Sequence, residues 1–233
     1  AVPEIGEVTD YIRVLDRSGY FETVTLSEDD LKRNDMYRAN AQRAKAQSRF
    51  ADYHDYLLSL EMTAEIGDFS PLYLQRITQL TNKSNQFNLT TKRYTAEQME
   101  AVYNSDEYIR LYGKLYDKFG DNGVVAVTIG KTDSENKGRL DIELWLMSCR
   151  VLKRDMELAM LDSLVAQAKK RGIREIYGHY YPTAKNKMVA GLYESFGFEK
   201  ISQDEECNTA WRLLVEGYED KNTVIKVKEE HYA

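Results

Sequence analysis

The spacing of apolar positions divides the chain into a helical start and a longer part in which strands and helices alternate. Almost no β-branched residues interrupt residues 8–60, and Ser27 with the acids after it forms a capping signal, so a long helical run is predicted. Between Met36 and Tyr53 the positions are mostly small or polar, which indicates packing along only part of the helix. We interpret residues 1–60 as a helical arm or linker.

From residue 61 onward the hydrophobic period changes repeatedly between that of a strand and that of a helix. Pro71 stands at a favoured first helical position, Thr95 is a helix cap, and Gly172 is a helix stop. The predicted elements are strand 61–67, helix 71–85, helix 95–105, strands 108–119, 123–131 and 138–149, helix 155–172, strand 174–181, helix 185–198 and strand 208–215.

Two local patterns predict how these strands pair. Gly120-Asp121-Asn122-Gly123 has tight-turn chemistry, which joins strands 108–119 and 123–131 as an antiparallel hairpin. In strand 138–149 the alternation places Leu140, Ile142, Leu144 and Leu146 on one face, and Asp141, Glu143, Trp145, Met147 and Cys149 on the other. The later strand–helix–strand unit requires a parallel pair. The order β-α-α-β-β-β-α-β-α-β-β follows, so residues 61–215 form an α/β domain with one splayed mixed sheet, followed by a charged tail at 216–233.

Composition narrows the classes of function. The 233 residues contain two cysteines, Cys149 and Cys207, with no metal-ligand spacing, so we expect a reducing cytoplasmic setting and no metal. Lys plus Arg number 32 against 38 for Asp plus Glu, and this net charge of −6 argues against nucleic acid as a partner. No run of 18 apolar residues is present, which argues against a membrane span.

Several motifs give the domain a family resemblance. Together with the element order, Asn186, Ala190, Tyr193 and Phe196-Gly197-Phe198 resemble the last motif of the GNAT acyltransferase superfamily. Four blocks, LTNKSNQFNLTTKRY (80–94), KFGDNG (118–123), LWLMSCRVL (144–152) and YYPTAKN (180–186), with YIRVLDRSGYFE and LSEDDLKRNDMYRAN near the start, are similar to the C-terminal half of FkbH-like proteins. The resemblance covers almost the whole chain and implies a GNAT-like acyl-CoA N-acyltransferase fold with an N-terminal helical arm.

The FkbH-like resemblance also implies a setting and partners. In that family a HAD-type phosphatase domain precedes this region, and its members build glyceryl units on an acyl carrier protein for methoxymalonyl-type polyketide extender units. This chain lacks the D-x-D-x-T/V nucleophile loop that HAD catalysis needs, so no phosphatase active site is expected in it. We expect the chain to begin where that domain ends, and to work with an acyl carrier protein and a HAD-type domain in cis or in trans.

The loop after strand 138–149 is the candidate cofactor site that the resemblance implies. GNAT enzymes bind a pyrophosphate there with an R-x-x-G-x-G/A turn, whose glycines let the backbone approach the phosphate. The matching residues are Arg150, Val151, Leu152, Lys153, Arg154 and Asp155, and Asn186 belongs to the last motif. Lys153 and Asp155 replace both glycines, so the expected ligand is either an acyl-CoA or the phosphopantetheine arm of a carrier protein.

Three residues are candidates for acyl-transfer chemistry. Cys149 ends its strand where a GNAT sheet opens for a pantetheine arm, and His179 could act as its base; a small buried hydrophobic thiol is the alternative. Tyr193 matches the tyrosine that protonates the departing thiolate in many GNAT enzymes, and equally suits a helix–sheet core. Glu143 lies six residues from Cys149, roughly 20 Å along a strand, so it cannot serve that thiol.

An amide-rich stretch follows the first helix of the domain. Asn82, Asn85, Gln86 and Asn88 fit helix capping and turn formation, and their density beside Lys83 and Arg93 fits contact with a substrate or partner equally well.

Two hypotheses follow from these residues. The first is a transferase that handles a pantetheine-linked, glyceryl-type acyl group in the opening beside Cys149. The second is a catalytically silent GNAT-like domain that docks an acyl carrier protein for a separate HAD-type phosphatase domain through Arg150, Lys153 and Arg154.

Overall fold

The computed structural model describes Val14 and residues 33–229. By its internal contacts the chain divides into two units, Ala1–Gln42 and Arg43–Ala233. The predicted helix start at Ser27 lies outside the described residues. The boundaries predicted at residues 60 and 215 stay a prediction.

The described helices and strands follow one another along residues 33–229. The helices are α1 Arg33–Gln47, α2 Tyr53–Ser59, α3 Pro71–Lys83, α4 Ala96–Tyr103, α5 Met156–Lys170 and α6 Leu192–Ser195, and the strands are β1 Thr63–Gly67, β2 Phe87–Asn88, β3 Tyr108–Asp117, β4 Gly120–Thr132, β5 Arg139–Met147, β6 Glu175–Tyr180, β7 Glu199–Gln203, β8 Thr209–Leu214 and β9 Lys226–Glu229. The predicted element order is confirmed. Strand β7 is the penultimate strand of that order, for which no range was predicted, and β2 and β9 are additional.

One mixed sheet organises the domain, and the predicted α/β class is confirmed. Its strand order is β7-β8-β6-β5-β4-β3-β1-β9, and β2 pairs with β5. Pairs β5–β6 and β1–β9 are parallel, and the other pairs are antiparallel. A parallel pair needs a crossover, and α5 supplies it between β5 and β6.

Each face of the sheet is covered by a separate apolar cluster. On one face α5 contributes Met156, Ala159, Met160, Leu164 and Val165, together with Trp145, Tyr193 and Phe196. On the other face α3 and α4 contribute Ile77, Leu80, Met99 and Val102, packed on Tyr112, Val127, Leu144 and Leu146. The helix starts follow the sequence, because Pro71 occupies the first turn of α3 and Thr95 forms a complete capping box for α4.

A β-bulge in β5 corrects the predicted alternation of its side chains. Ile129 and Gly130 of β4 are consecutive, yet they pair with Leu144 and Ile142, so Glu143 is an extra residue. Leu140 and Ile142 therefore share a cluster with Trp145 and Met147, whereas Leu144 and Leu146 lie in the other cluster. The extra residue reverses the faces of everything after it, which a strict period of two does not anticipate.

The turn between β3 and β4 also differs from the prediction. Asp117 pairs with Gly120, so Lys118 and Phe119 form the turn, and the Gly120–Gly123 run belongs to β4. Asn122 is buried and donates a hydrogen bond to the carbonyl of Leu115, 3.1 Å away. The Asn-Gly pair forms a bulge inside the hairpin, where Gly123 adopts a φ of 68°.

The segment 185–198 is less helical than predicted. It contains a 3-10 turn, Lys187–Val189, and the single turn of α6. Asn186 uses its side chain to bond the surrounding backbone, and Gly191 has a low helix propensity, so a continuous helix is not formed here. Gly197 ends the segment at a φ of 82°, as its sequence position predicts.

The described part of the C-terminal tail is packed onto the domain. The Asp162 carboxylate of α5 accepts hydrogen bonds from the Tyr218 hydroxyl and from the backbone N–H groups of Lys221 and Asn222. Strand β9 then pairs with β1. Across the residues that the structure describes, no helix combines the length and apolar character needed to cross a bilayer.

Candidate functional site

Strands β5 and β6 diverge and leave an opening in the sheet. They pair only from Arg139 to Asp141 on β5 and from Glu175 to Tyr177 on β6. Beyond these residues the facing edges would carry unpaired N–H and C=O groups, and such groups inside a protein require partners.

Residues 87–90 of the same chain fill this opening. Phe87 and Asn88 pair with Met147 and Leu146 of β5. Leu89 then bridges the two strands, because its N–H donates to the carbonyl of Trp145 at 3.1 Å and its carbonyl accepts from the N–H of Tyr181 at 2.9 Å. We call residues 87–90 the filling segment. The sheet is thereby continuous where a pantetheine arm was expected.

Asn186 fastens the filling segment to the end of β6. Its side chain is fully buried and donates from Nδ2 to the carbonyls of Asn88 and Tyr181, each at 2.9 Å. Its Oδ1 accepts from the N–H and the hydroxyl of Thr183 at 2.7 and 3.0 Å. The predicted cofactor residue Asn186 thus contacts the chain's own backbone at the opening.

The amide-rich stretch supports the same segment. Asn88 Oδ1 accepts from the N–H of Thr91, Asn85 Oδ1 accepts from the guanidinium of Arg93, and Asn82 donates to the carbonyls of Thr78 and Tyr94. Gln86 is exposed. Three of the four predicted substrate-binding amides therefore have partners within the chain, in agreement with turn formation.

The loop between β5 and α5 keeps unusual backbone angles without the glycines that normally supply them. Lys153 and Asp155 have φ values of 62° and 59°, in the left-handed region. Val151 is buried and Leu152 is partly buried, whereas Lys153 is exposed. The loop has the backbone form expected of a glycine turn, but two charged side chains project from it.

Arg154 points into the protein interior. Its Nη1 lies 3.1 Å from Oδ2 of Asp117, a carboxylate that also accepts two hydrogen bonds from Arg43. Burial and the charge of Arg43 lower the pKa of Arg154, against the opposing effect of Asp117. Arg154 is 8% exposed, so its guanidinium is not accessible for the predicted contact with a nucleotide or an acidic partner.

Tyr193 lies in the apolar cluster beneath β6. Its ring contacts Trp145, Phe198 and Trp211, and a Cβ added to Gly178 would lie 2.3 Å from the ring. Burial raises the pKa of Tyr193. This placement agrees with the prediction that Tyr193 belongs to the core between helix and sheet.

Cys149 and His179, predicted as a thiol–imidazole pair, are not brought together. Cys149 is exposed in the 3-10 turn Cys149–Val151 after β5. His179 Nε2 lies 3.2 Å from Oδ1 of Asp141. Asp141 precedes Met147 at the end of β5 by six residues, roughly 20 Å along a strand. The imidazole therefore does not reach the thiol, and the buried-thiol alternative for Cys149 is also wrong.

His179 instead lines a pocket of about 480 Å³ beside the divergence of β5 and β6. Its walls are Thr90, Thr91, Lys92, Asp141, Ile142, Glu143, His179 and Tyr181. We call this the polar pocket. The sequence analysis missed Asp141, Lys92 and Tyr181 as site residues. Asp141 and Glu143 did stand out as acidic positions in an otherwise apolar strand.

The charged groups of the polar pocket are arranged in pairs. Lys92 Nζ contacts Glu143 Oε2 at 2.5 Å, and the Tyr94 hydroxyl donates to the same oxygen at 3.1 Å. Asp141 accepts two hydrogen bonds from Arg139 at 2.6 and 2.7 Å. Among the residues that the structure describes, no group of His, Cys, Asp and Glu side chains is suited to hold a metal ion.

Solved structures show what this architecture resembles. The ribosomal-protein-S18-alanine N-acetyltransferase from Escherichia coli matches with a TM-score of 0.50 and 13% identity, over 69% of this chain and 99% of the enzyme. The Salmonella typhimurium protein yncA, solved with its cofactor acetyl-CoA, matches with 0.50 and 13%, over 68% and 96%. An acetyltransferase of the GNAT family from Streptococcus pneumoniae matches with 0.50 and 17%, over 65% and 99%.

No family model matches the chain, and no curated protein matches it in sequence. The structural matches have low sequence identity, so they show the fold alone. The chain has the GNAT acetyltransferase fold, as its last motif predicts.

Proposed function

We propose that this chain handles an acyl group that a carrier protein presents on its pantetheine arm, and that it does not use CoA. The GNAT fold and the FkbH-like resemblance support acyl transfer in the setting of glyceryl-type extender-unit biosynthesis. The pantetheine arm is the same in CoA and in a loaded carrier protein, so only the nucleotide end of CoA can distinguish the two donors. The filling segment occupies the edge of β5 along which either arm was expected to lie.

The loop after β5 carries the choice of donor. Binding of a CoA pyrophosphate needs close approach of the backbone, and the side chains of Lys153 and Asp155 stand where glycines were expected. Asp155 adds a negative charge at the start of α5. The protein yncA was solved with acetyl-CoA on the same fold, so the proposal attributes a loss of CoA use to the residues of the opening and the loop.

The surface near the opening suits an acidic carrier protein. Lys153 is exposed in the loop after β5, and Lys185 and Lys187 are exposed in the segment after β6. A carrier protein brings an acidic helix of its own, and opposite charges steer such an encounter. The HAD-type phosphatase domain, in cis or in trans, would supply the chemistry that this chain lacks.

The donor can be tested directly. The full chain is incubated separately with acetyl-CoA and with an acyl-loaded carrier protein, and intact-protein mass spectrometry and calorimetry record transfer and binding. We expect a complex or a moved acyl group only with the carrier. Saturable CoA binding with a micromolar Kd, or no interaction with the loaded carrier, contradicts the proposal.

A second candidate function is a silent docking domain. It is favoured by the separation of Cys149 from His179 and by the core position of Tyr193. This candidate expects unchanged product formation by the HAD-type domain in Cys149→Ser and Tyr193→Phe variants.

Charge reversal tests the docking surface in either case. Arg150→Glu and Lys153→Glu are expected to weaken carrier binding, whereas Lys228→Glu, on the distant edge strand β9, is the matched control. Arg154 is unsuitable for this experiment because its guanidinium is buried against Asp117. Equal binding by all variants contradicts a basic docking surface.

A further inference from the structure

A linked chain of groups from β5 and β6 reaches the polar pocket, whose lining includes its members Asp141 and His179. Arg139 donates to both carboxylate oxygens of Asp141, and Oδ1 of the same carboxylate also lies 3.2 Å from His179 Nε2. The Arg139 guanidinium is itself held over the Tyr177 ring, 3.9 Å from its centroid. Burial alone would raise the pKa of Asp141, but the hydrogen bonds and charges of His179 and Arg139 outweigh it and lower the pKa.

An ionised Asp141 determines how His179 carries its proton. An ionised carboxylate only accepts hydrogen bonds, so Nε2 of a neutral His179 must be the protonated nitrogen. The other ring nitrogen is then left with a lone pair and can accept a proton. The Tyr181 ring lies beside the imidazole, with 6.3 Å between the ring centroids and 25° between the ring planes.

Two other lining residues of the pocket have irregular backbone positions. Thr91 is β-branched and has a φ of 56°, held there by the hydrogen bond from its N–H to Asn88. The bulge residue Glu143 accepts a hydrogen bond from the Thr90 hydroxyl on its carbonyl, at 2.7 Å. Left-handed β-branched residues and β-bulges both concentrate next to functional sites.

We propose that the polar pocket is an acid–base site in which His179, positioned by Asp141, accepts the proton of a small hydroxyl- or thiol-bearing acyl acceptor. The proposal rests on the proposed acyl transfer. The acceptor oxygen or sulfur bonds to the thioester carbonyl carbon, the C–S bond of the donor breaks, and the proton passes from the acceptor to His179 and then to the departing sulfur. A volume of about 480 Å³ suits a small acceptor.

Transfer rates of three variants test the proposal. His179→Gln removes the proton acceptor, and we expect transfer from the loaded carrier to fall by about a hundredfold or more, within the range of general acid–base catalysis. Asp141→Asn is expected to lower it by about tenfold. The matched control is Asp106→Asn, which changes an exposed carboxylate outside the polar pocket and should leave the rate unchanged. Unchanged rates in both pocket variants overturn the proposal.

A spectroscopic measurement separates this proposal from the proposed function. The chain has three histidines, so the ring ¹⁵N resonances of His179 can be identified by comparison with a His179→Gln sample. We expect the Nε2-protonated tautomer in the wild-type chain and a mixture in Asp141→Asn. An Nδ1-protonated ring in the wild-type chain overturns the proposal. If the wild-type chain transfers no acyl group, the proposed function fails and the proton-accepting role of His179 fails with it. If it transfers acyl groups and both pocket variants keep its rate, the acid–base proposal fails alone.

Discussion

At the scale of single residues, Asp117 joins three parts of the domain. Its side chain is fully buried and contacts Arg43 of α1 and Arg154 of the loop before α5, while it sits at the β3–β4 turn. One carboxylate is thus shared by two guanidinium groups. Its charge makes the burial of both arginines tolerable.

Replacing Asp117 by Asn should strongly destabilise the domain. Two buried cations lose the carboxylate that they share, and breaking a buried pair costs about 3–5 kcal/mol. Urea unfolding measures the loss. Glu107→Gln is the control, because Glu107 and Lys131 form an exposed pair at 3.6 Å, for which little change is expected. Equal stability of the Asp117→Asn variant and the wild-type chain would show that the cluster is not stabilising.

Glu157 is expected to make the stability of the domain depend on pH. Burial raises its pKa to about 7, and the charge of Asp155 adds to the effect, so the native state favours the protonated acid. Because the folded pKa exceeds the unfolded one, the stabilisation is complete below pH about 4.5 and is lost as pH rises through about 7.

We expect Glu157→Gln to remove this dependence. The wild-type chain should lose up to about 3 kcal/mol between pH 4.5 and 8 from this group, and the variant should be the more stable of the two at pH 8. Chemical unfolding at both pH values measures the difference. Parallel stability curves for the two chains are the contrary result.

The sequence predicted only part of the site at the residue scale. His179 was identified, but as a partner for Cys149 rather than for Asp141. The wrong pairing arises from the bulge at Glu143 and from the early divergence of β5 from β6. Both determine where the side chains point, and neither can be recognised in the pattern of apolar residues.

At the scale of elements, the contact between α6 and β6 depends on the absence of a side chain. The Tyr193 ring lies where the Cβ of any residue but glycine at position 178 would stand, 2.3 Å from that point. The ring is 1% exposed, so it has no room to retreat.

Gly178→Ala is therefore expected to destabilise the domain by roughly 1–3 kcal/mol, the usual effect of overpacking a core. Gly191→Ala is the matched control, because no atom lies within 4 Å of its added Cβ and its φ of −97° suits alanine. Thermal or urea unfolding compares the two. A greater loss of stability in the Gly191→Ala variant would contradict the packing argument.

Asn186 tests the attachment of the filling segment. In Asn186→Ala the carbonyls of Asn88 and Tyr181 lose a buried donor, and leaving buried groups unpaired costs about 1–3 kcal/mol each. We expect faster hydrogen exchange at the N–H groups of Leu89 and Tyr181, while those of α5 are unaffected. Uniform exchange changes across the domain would show general destabilisation instead.

Elements whose starts depend on neighbouring residues could be predicted from the sequence. Elements that depend on hydrogen bonds to residues far away in the chain could not. Pro71 and Thr95 determine the starts of α3 and α4 through contacts within one turn. Strand β2 has two residues and exists because Leu146 and Met147 of β5 pair with it. Strand β9 likewise depends on β1, more than 150 positions earlier in the chain.

At the scale of the whole molecule, the C-terminal tail completes the sheet edge. Val224 and Ile225 are buried, Asp162 anchors the preceding turn, and β9 covers the otherwise open edge of β1. An uncovered strand edge is a template for association between chains.

Ending the chain at residue 216 should therefore destabilise the domain and promote aggregation. Burial of one Val or Ile side chain contributes about 1.5–3 kcal/mol, so several kcal/mol should be lost. Unfolding curves and light scattering measure the two effects. A chain ending at Glu229, which keeps every described strand, is the control. A monodisperse, fully stable chain of 216 residues would contradict this role.

The filling segment also affects the apparent affinity of any ligand that carries a pantetheine arm. Because the segment is tethered to the domain, it competes for the edge of β5 at an effective concentration on the order of millimolar. A ligand that would bind an empty opening tightly must first displace this intramolecular competitor, and its apparent affinity falls by the ratio of occupied to empty states. The occupant and the opening belong to one chain, so they are always present in equal amounts.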